Sequence, residues 1–214
     1  MVAKKSTSSR RARTARAAIE PSYLERPGKN IWLTFDDGPH PAHTDRILKI
    51  LAKNNIRATF FVVGENVRAR RQLVKRAFDQ GHRIGNHSYT HPNLTRLNEQ
   101  QIRDQIARTD ELIQDFIVRD KLFRPPYGAH NARVDQIVAE LGYRNVLWNV
   151  DTADWDRRNQ PDKWVQVGLD LIRTRDDCRV LNHDIHATTA DHLEMFIYRI
   201  RQIGNVTFKA PSTL

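Results

Sequence analysis

Leu33-Thr34-Phe35-Asp36-Asp37-Gly38-Pro39 follows the apolar pair Ile31 and Trp32. An apolar run that stops at two adjacent carboxylates reads as a strand ending in a loop. Gly38 permits a positive φ and Pro39 cannot donate to a ladder, so the carboxylates are placed at the corner. Two such charges side by side repel unless a cation, an arginine or a shared proton intervenes. An ordinary Asp-Gly turn is the simpler alternative, and the rest of the chain decides between the two.

Working outward, the pattern alternates between strands and helices. His43-Thr44-Asp45 precedes Ile47, Leu48 and Leu51, a helix with one apolar face ending near Asn54-Asn55. Ala58–Val63 is continuously apolar or β-branched, as suits a strand buried on both faces. Val67, Leu73, Val74 and Phe78 mark a second helix closed by Gly81, and a short strand follows at His82–Asn86. Asn98 with Gln101 forms a capping-box pattern before a third helix with Ile102, Ile106, Ile113 and Phe116 on its buried stripe. Lys121–Arg124 is a short strand stopped by Pro125-Pro126, and Asn131 caps a helix that ends at Gly142. A strand at Arg144–Val150, a helix near Asp162–Arg173 and a strand at Arg179–Asn182 come next. The final helix ends at Gly204, before a last strand at Val206–Lys209. Seven strands separated by six helices predict a parallel sheet with helices outside, open or closed into a barrel.

With 214 residues, 39% hydrophobic and 28% charged, the chain has the size and composition of one soluble globular domain. No run is long and apolar enough to predict a membrane span. The single cysteine, Cys178, excludes an intrachain disulfide and a cysteine-based metal site. Six of the ten net positive charges fall within residues 1–30, where eight Lys or Arg face Glu20 and Glu25. Residues 1–30 are therefore expected to be a basic, disordered tail, residues 31–209 the domain, and residues 210–214 a C-terminal tail. The basic tail suits contact with anionic polymers, without specificity for nucleic acid. It lacks the apolar stretch of a secretion signal, so the chain as given is expected in the cytoplasm, or exported if an upstream segment precedes it.

In parallel α/β architectures functional residues gather at the carboxyl ends of strands. Asp36 and Asp37 follow the first strand, His87 and His91 the third, and Arg124 ends the fourth. Asp151, Asp154 and Trp155 follow the fifth, and His183 and Asp184 the sixth. Two histidines four apart can share one cation, and a carboxylate such as Asp37 completes a His-His-Asp set. Three protein ligands leave a fourth position for water, as in a catalytic zinc site; without a thiolate, another divalent ion is open as well.

Thr34-Phe35-Asp36-Asp37-Gly38-Pro39, His87-Ser88-Tyr89-Thr90-His91, Arg124-Pro125-Pro126-Tyr127-Gly128, Asp151-Thr152-Ala153-Asp154-Trp155 and Leu181-Asn182-His183-Asp184 stand in this order. Together they resemble the five ordered motifs of the NodB-homology polysaccharide deacetylases, also called family 4 carbohydrate esterases. The resemblance covers roughly residues 31–209. It implies a distorted (β/α)7-type barrel of parallel strands in a single domain. It also implies a divalent metal, usually zinc with cobalt as an alternative, and hydrolysis of acetyl groups on sugars.

By that resemblance Asp37, His87 and His91 would hold the metal. Asp36 would be the general base and Arg124 would pair with it. The Tyr127 backbone N–H would help bind the oxyanion. His183 would be the general acid, held in its charged form by Asp154. Trp155 and Leu181 would line the slot for the acetyl methyl. The implied reaction removes N-acetyl groups from N-acetylglucosamine units of chitin-like oligosaccharides or peptidoglycan and releases acetate. O-deacetylation of a glycan such as acetylated xylan, and a non-catalytic basic polymer-binding role, are the alternatives.

Residues without a matching role have plainer expectations. Asp151 either orients a loop or contacts sugar. Asp184 and His186 are read as loop residues. His40, His43, His82, His130 and His192 are read as solvated, and Trp148 and Trp164 as core.

Overall fold

The computed structural model describes residues 28–118 and 120–214. In chain order its strands and α-helices are β1 (Lys29–Asp36), α1 (His43–Lys53), β2 (Thr59–Val62), α2 (Gly64–Asp79), β3 (Arg83–Asn86), α3 (Glu99–Ile113), β4 (Lys121–Phe123), α4 (Ala132–Glu140), β5 (Tyr143–Asn145), β6 (Val150–Asp151), α5 (Lys163–Arg173), β7 (Asp177–His183), α6 (Ala187–Arg201) and β8 (Val206–Phe208). Except for Gly28, Lys29 and Asn30, the basic segment read as a tail lies outside the described residues.

Strand β1 is central because both its edges and both its faces are occupied. β7 runs parallel along one edge, from Asn30 opposite Asp177 to Asp36 opposite His183. The other edge is shared: β2 pairs with Thr34–Asp36 and β8 with Lys29–Ile31. The sheet runs β5-β4-β3-β2-β1-β7-β6, with β8 on β1, and every pair is parallel. Ile31, Leu33 and Phe35 point to one side of β1, Thr34 and Asp36 to the other, and all are buried. The apolar side packs on α1, α5 and α6, with Trp164 edge-on to Phe196 at 5.1 Å. A second cluster joins α3 and α4 through Ile102, Ile106, Val134 and Ile137. Each such side chain contributes about 1.5–3 kcal/mol on burial.

Local signals place the helices as read. Asn98 Oδ1 accepts from the Gln101 N–H and Gln101 Oε1 from the Asn98 N–H, completing the capping box. Asn131 Oδ1 accepts from the Val134 N–H at 3.0 Å. No helix among the described residues is long and apolar enough to cross a membrane. Residues 210–214, expected as a C-terminal tail, lie against the barrel: Trp32 Nε1 donates to Thr213 Oγ1 and Arg144 to the Leu214 carbonyl.

One strand divides. The Arg144–Val150 run, expected as a single strand, becomes β5 on β4 and β6 on β7, with Val146–Asn149 crossing between the two sheet edges. This crossing is the seam of the distorted barrel, and side chains take over where a ladder would stand. Arg124 Nε donates to the Val146 carbonyl at 2.8 Å, Arg179 Nε to the Leu147 carbonyl at 3.0 Å, and Asn149 Oδ1 accepts from the Arg179 N–H. Trp148, expected in the core, is consequently half-buried in this seam, whereas Trp164 is fully buried as expected.

His82, expected to be solvated, is buried. Its Nδ1 accepts from the Ala58 N–H at the entry to β2, and its ring meets Phe60 edge-on. Burial lowers its pKa to about 4, which keeps it neutral. His40 and His43 are half-buried and stacked at 4.0 Å, and His192 is also half-buried; His130 is exposed and pairs with Asp135.

Candidate metal centre and active site

The carboxyl ends of the strands deliver the titratable groups to one cavity. Asp36 is the last residue of β1, and Asp37 turns out of the strand with φ +75°. The next residue, Gly38, lies directly on the Asp184 carboxylate: a β-carbon there would come within 2.2 Å of both its oxygens. Gly38→Ala is therefore expected to cost about 1–3 kcal/mol through overpacking and to displace the Asp36-Asp37 corner. Thermal unfolding checks the first effect and divalent-ion affinity the second.

Asp37, His87 and His91 converge. Asp37 Oδ1 is 3.3 Å from His87 Nε2 and 3.2 Å from His91 Nε2. These are the only three His, Cys, Asp or Glu residues among those described whose ligand atoms cluster for one ion. The arrangement fits a metal on three counts. A tetrahedral ion with bonds of about 2.0–2.1 Å needs ligand atoms roughly 3.3 Å apart. Asp37 Oδ1 is buried and has no hydrogen-bond donor of its own. His87 Nδ1 donates to the Arg124 carbonyl at 2.6 Å, which leaves Nε2 as the free lone pair. Burial works to raise the Asp37 pKa, yet the neighbouring imidazoles, His87 foremost, hold the carboxyl well below the usual range. Burial lowers the pKa of His91, favouring the neutral form a ligand needs.

Asp36 faces the other way. Arg124 is wholly buried at the end of β4 and donates at 2.8 Å to both Asp36 Oδ1 and Thr34 Oγ1. Asp36 Oδ2 lies 3.7 Å from His87 Nε2, on the cavity side. Adjacent carboxylates are thus separated by environment, one beside imidazoles and one beside a guanidinium.

Across the cavity, His183 ends β7. Its Nδ1 is 2.7 Å from Asp154 Oδ1, while Asp154 Oδ2 accepts from the His183 N–H and the Thr189 hydroxyl. Burial disfavours the charged imidazole, but the Asp154 carboxylate more than offsets it, with Asp37 and Asp36 adding, and the pKa rises to about 9. Asp184, read as a loop residue, is buried; Thr44 Oγ1 donates to it, and burial pushes its carboxyl up to about 7.

The cavity holds about 460 Å³ and takes in Asp36, Asp37, His87, His91, Tyr127 and His183. Trp155 and Leu181 line it as well, so every residue singled out for substrate contact borders this space. Tyr127 has φ +60° and an exposed ring against His91 at 4.6 Å. Asp151 accepts from the Ala153 N–H at 2.8 Å, shaping its own loop, and it also borders the cavity. Trp148 and His186 also line the cavity. Neither was assigned there from sequence; the only signal was proximity to a motif, Trp148 three residues before Asp151 and His186 three after His183.

A family model described as polysaccharide deacetylase matches residues 24–146. The chain is 40% identical over 177 residues to a peptidoglycan-N-acetylglucosamine deacetylase of Listeria monocytogenes; the match spans 82% of this chain and only 37% of that relative's length. It is 39% identical to a chitooligosaccharide deacetylase of Rhizobium leguminosarum, over 73% of this chain and 72% of the other. Among solved structures, a mutant of a Bacillus anthracis family 4 pseudoenzyme with restored enzymatic activity superposes with a TM-score of 0.78 at 33% identity, over 88% of this chain and 68% of the other. A pseudoenzyme with this fold means that the site, not the fold, has to carry a functional reading.

Proposed function

The chain belongs to the polysaccharide deacetylase family, and from that premise we propose that it removes N-acetyl groups from N-acetylglucosamine units of peptidoglycan or chitin-like oligosaccharides. One observation carries the reading. Three separate devices face a single cavity: the Asp37–His87–His91 cluster, the arginine-paired Asp36 and the aspartate-paired His183. N-acetylglucosamine is the chemistry that the names of both relatives share, directly or through chitin.

Asp37, His87 and His91 would hold the ion, and a donor set of two imidazoles and one carboxylate suits zinc. When bound, such an ion polarises the scissile carbonyl and lowers the pKa of water toward about 7. The remaining work falls to side chains. Asp36 is aimed by Arg124 through Oδ1, which leaves Oδ2 to take the proton of the attacking water. The Tyr127 N–H serves the oxyanion, and Leu181 and Trp155 enclose the acetyl methyl. His183, its Nδ1 committed to Asp154, delivers a proton from Nε2 to the departing nitrogen as the C–N bond breaks. Acetate and a free amine result. An amide needs this acid more than an ester does, because a nitrogen anion is far more basic than an alkoxide; the charged His183 therefore favours N- over O-deacetylation.

Purified chain, stripped with a chelator and reloaded with Zn²⁺ or Co²⁺, is expected to release acetate from chito-oligosaccharides or peptidoglycan fragments and to lose that activity on renewed chelation. Absence of acetate from both glycans, with either ion, would overturn the proposal.

A further inference from the structure

Both histidine ligands ride on one irregular loop, in which Ser88 has φ +65° and His91 φ +58°. Non-glycine residues hold this conformation only where their surroundings enforce it. The backbone groups between the ligands identify what enforces it. The Ser88 N–H donates to Asn86 Oδ1 at 2.9 Å, and the His91 N–H to Ser88 Oγ at 3.1 Å. The Ser88 and Tyr89 carbonyls accept from the Gly64 and Glu65 N–H groups, the otherwise unpaired first amides of α2. The close fit at this end requires Gly64, since a β-carbon there would meet the Tyr89 ring at 2.4 Å.

Two amides remain, those of Tyr89 and Thr90. Both donate to one atom, Gln105 Oε1 on α3, at 2.9 Å each. Gln105 Nε2 donates in turn to Thr90 Oγ1 at 3.0 Å, which fixes the orientation of the amide. Three hydrogen bonds from one half-buried side chain thus fall on the middle of the segment joining the ligands. Gln105 itself does not line the cavity that Asp37, His87 and His91 share.

We propose that Gln105 is a positioning residue for the metal centre: it clamps the His87–His91 loop so that both Nε2 atoms face Asp37. This rests on the reading of Asp37, His87 and His91 as ligands. The fold does not depend on Gln105 for packing, because the buried residues of α3 are Ile102, Ile106, Thr109 and Ile113. Alanine is moreover the best helix former, so the helix tolerates its replacement.

The test titrates the full chain, Gln105→Ala and Gln105→Glu with Zn²⁺ against a chromophoric chelator, and melts each protein free of metal. Gln105→Ala is expected to bind Zn²⁺ about 10–100-fold more weakly, as for other groups that orient ligands without touching the ion. Its metal-free melting transition should persist. Gln105→Glu keeps an oxygen for both amides and is expected within about threefold of the parent. Parent-like affinity in the alanine variant, or a glutamate variant no better than alanine, overturns the clamp while leaving the metal reading intact. An alanine variant with no melting transition overturns it as a folding defect. A parent chain that takes up no Zn²⁺ overturns the metal reading and the clamp together.

Discussion

Asp154→Asn is expected to slow acetate release at neutral pH by about 10²–10⁴-fold, the ordinary contribution of a positioned general acid. His183 is partly buried, and that loss of solvent alone would leave it neutral. The Asp154 carboxylate at 2.7 Å reverses this and raises the pKa to about 9. Asparagine preserves the shape but removes the charge, so burial acts with less opposition and the His183 pKa falls toward or below 6.5. In the metal-free parent the acid form persists up to about pH 9, and in the loaded enzyme its loss sets the alkaline limb of the pH–rate profile. Loading the site with a dication, which offsets the charges of Asp37 and Asp36, moves that limb lower without removing the Asp154 contribution. In the variant the limb shifts to acid, and residual activity rises as pH drops through 6.5.

Stability carries the same signature. The folded pKa lies above the unfolded one, so this pair stabilises fully below pH 6.5 and the contribution disappears as pH rises through about 9. Melting temperatures of parent and variant should therefore differ most at neutral or lower pH and converge near pH 10. An unchanged alkaline limb in Asp154→Asn would remove His183 from the role of acid.

Much of this was legible in the chain because strand ends are punctuated. Asp36-Asp37 before Gly38-Pro39, His87 to His91 after a short strand, and Arg124 before two prolines all mark where a strand stops, and a parallel barrel brings such stops to one face. Groups whose roles come from packing across the sheet were harder to read. Asp184 stands next to His183, but it is buried because β7 aligns with β1 and sets its carboxylate against Gly38 and the Thr44 hydroxyl. Trp148 belongs to an apolar run that resembles a core strand; only the seam, which needs that run to serve two sheet edges, turns the ring to the cavity. Gln105 is an ordinary polar residue on an amphipathic helix, and its meaning appears only when the amides of Tyr89 and Thr90, sixteen and fifteen residues earlier, are traced to it.

Arg124→Met should be the most destabilising single change in the site, at about 3–5 kcal/mol, because it leaves Asp36 buried without its partner. At roughly 2–4 °C per kcal/mol for a domain of this size, the melting temperature should fall by about 6–20 °C. The guanidinium has no solvent exposure and lies 4.1 Å over the Phe61 ring, so water cannot replace it. The variant loses two kinds of interaction at once: the bonds to Asp36 and Thr34, and the donor to the Val146 carbonyl at the barrel seam. A second variant separates them. Asp36→Leu combined with Arg124→Met removes both charges and still leaves Val146 without its donor. Buried pairs replaced by apolar residues are commonly neutral or better, so the double variant should regain most of the lost stability while acetate release stays absent. That result would mean that the pair is kept for what Asp36 does to water and not for holding the barrel together. A double variant as unstable as Arg124→Met would instead assign the stability to the seam, and a single variant within about 1 kcal/mol of the parent would contradict the burial on which the estimate rests.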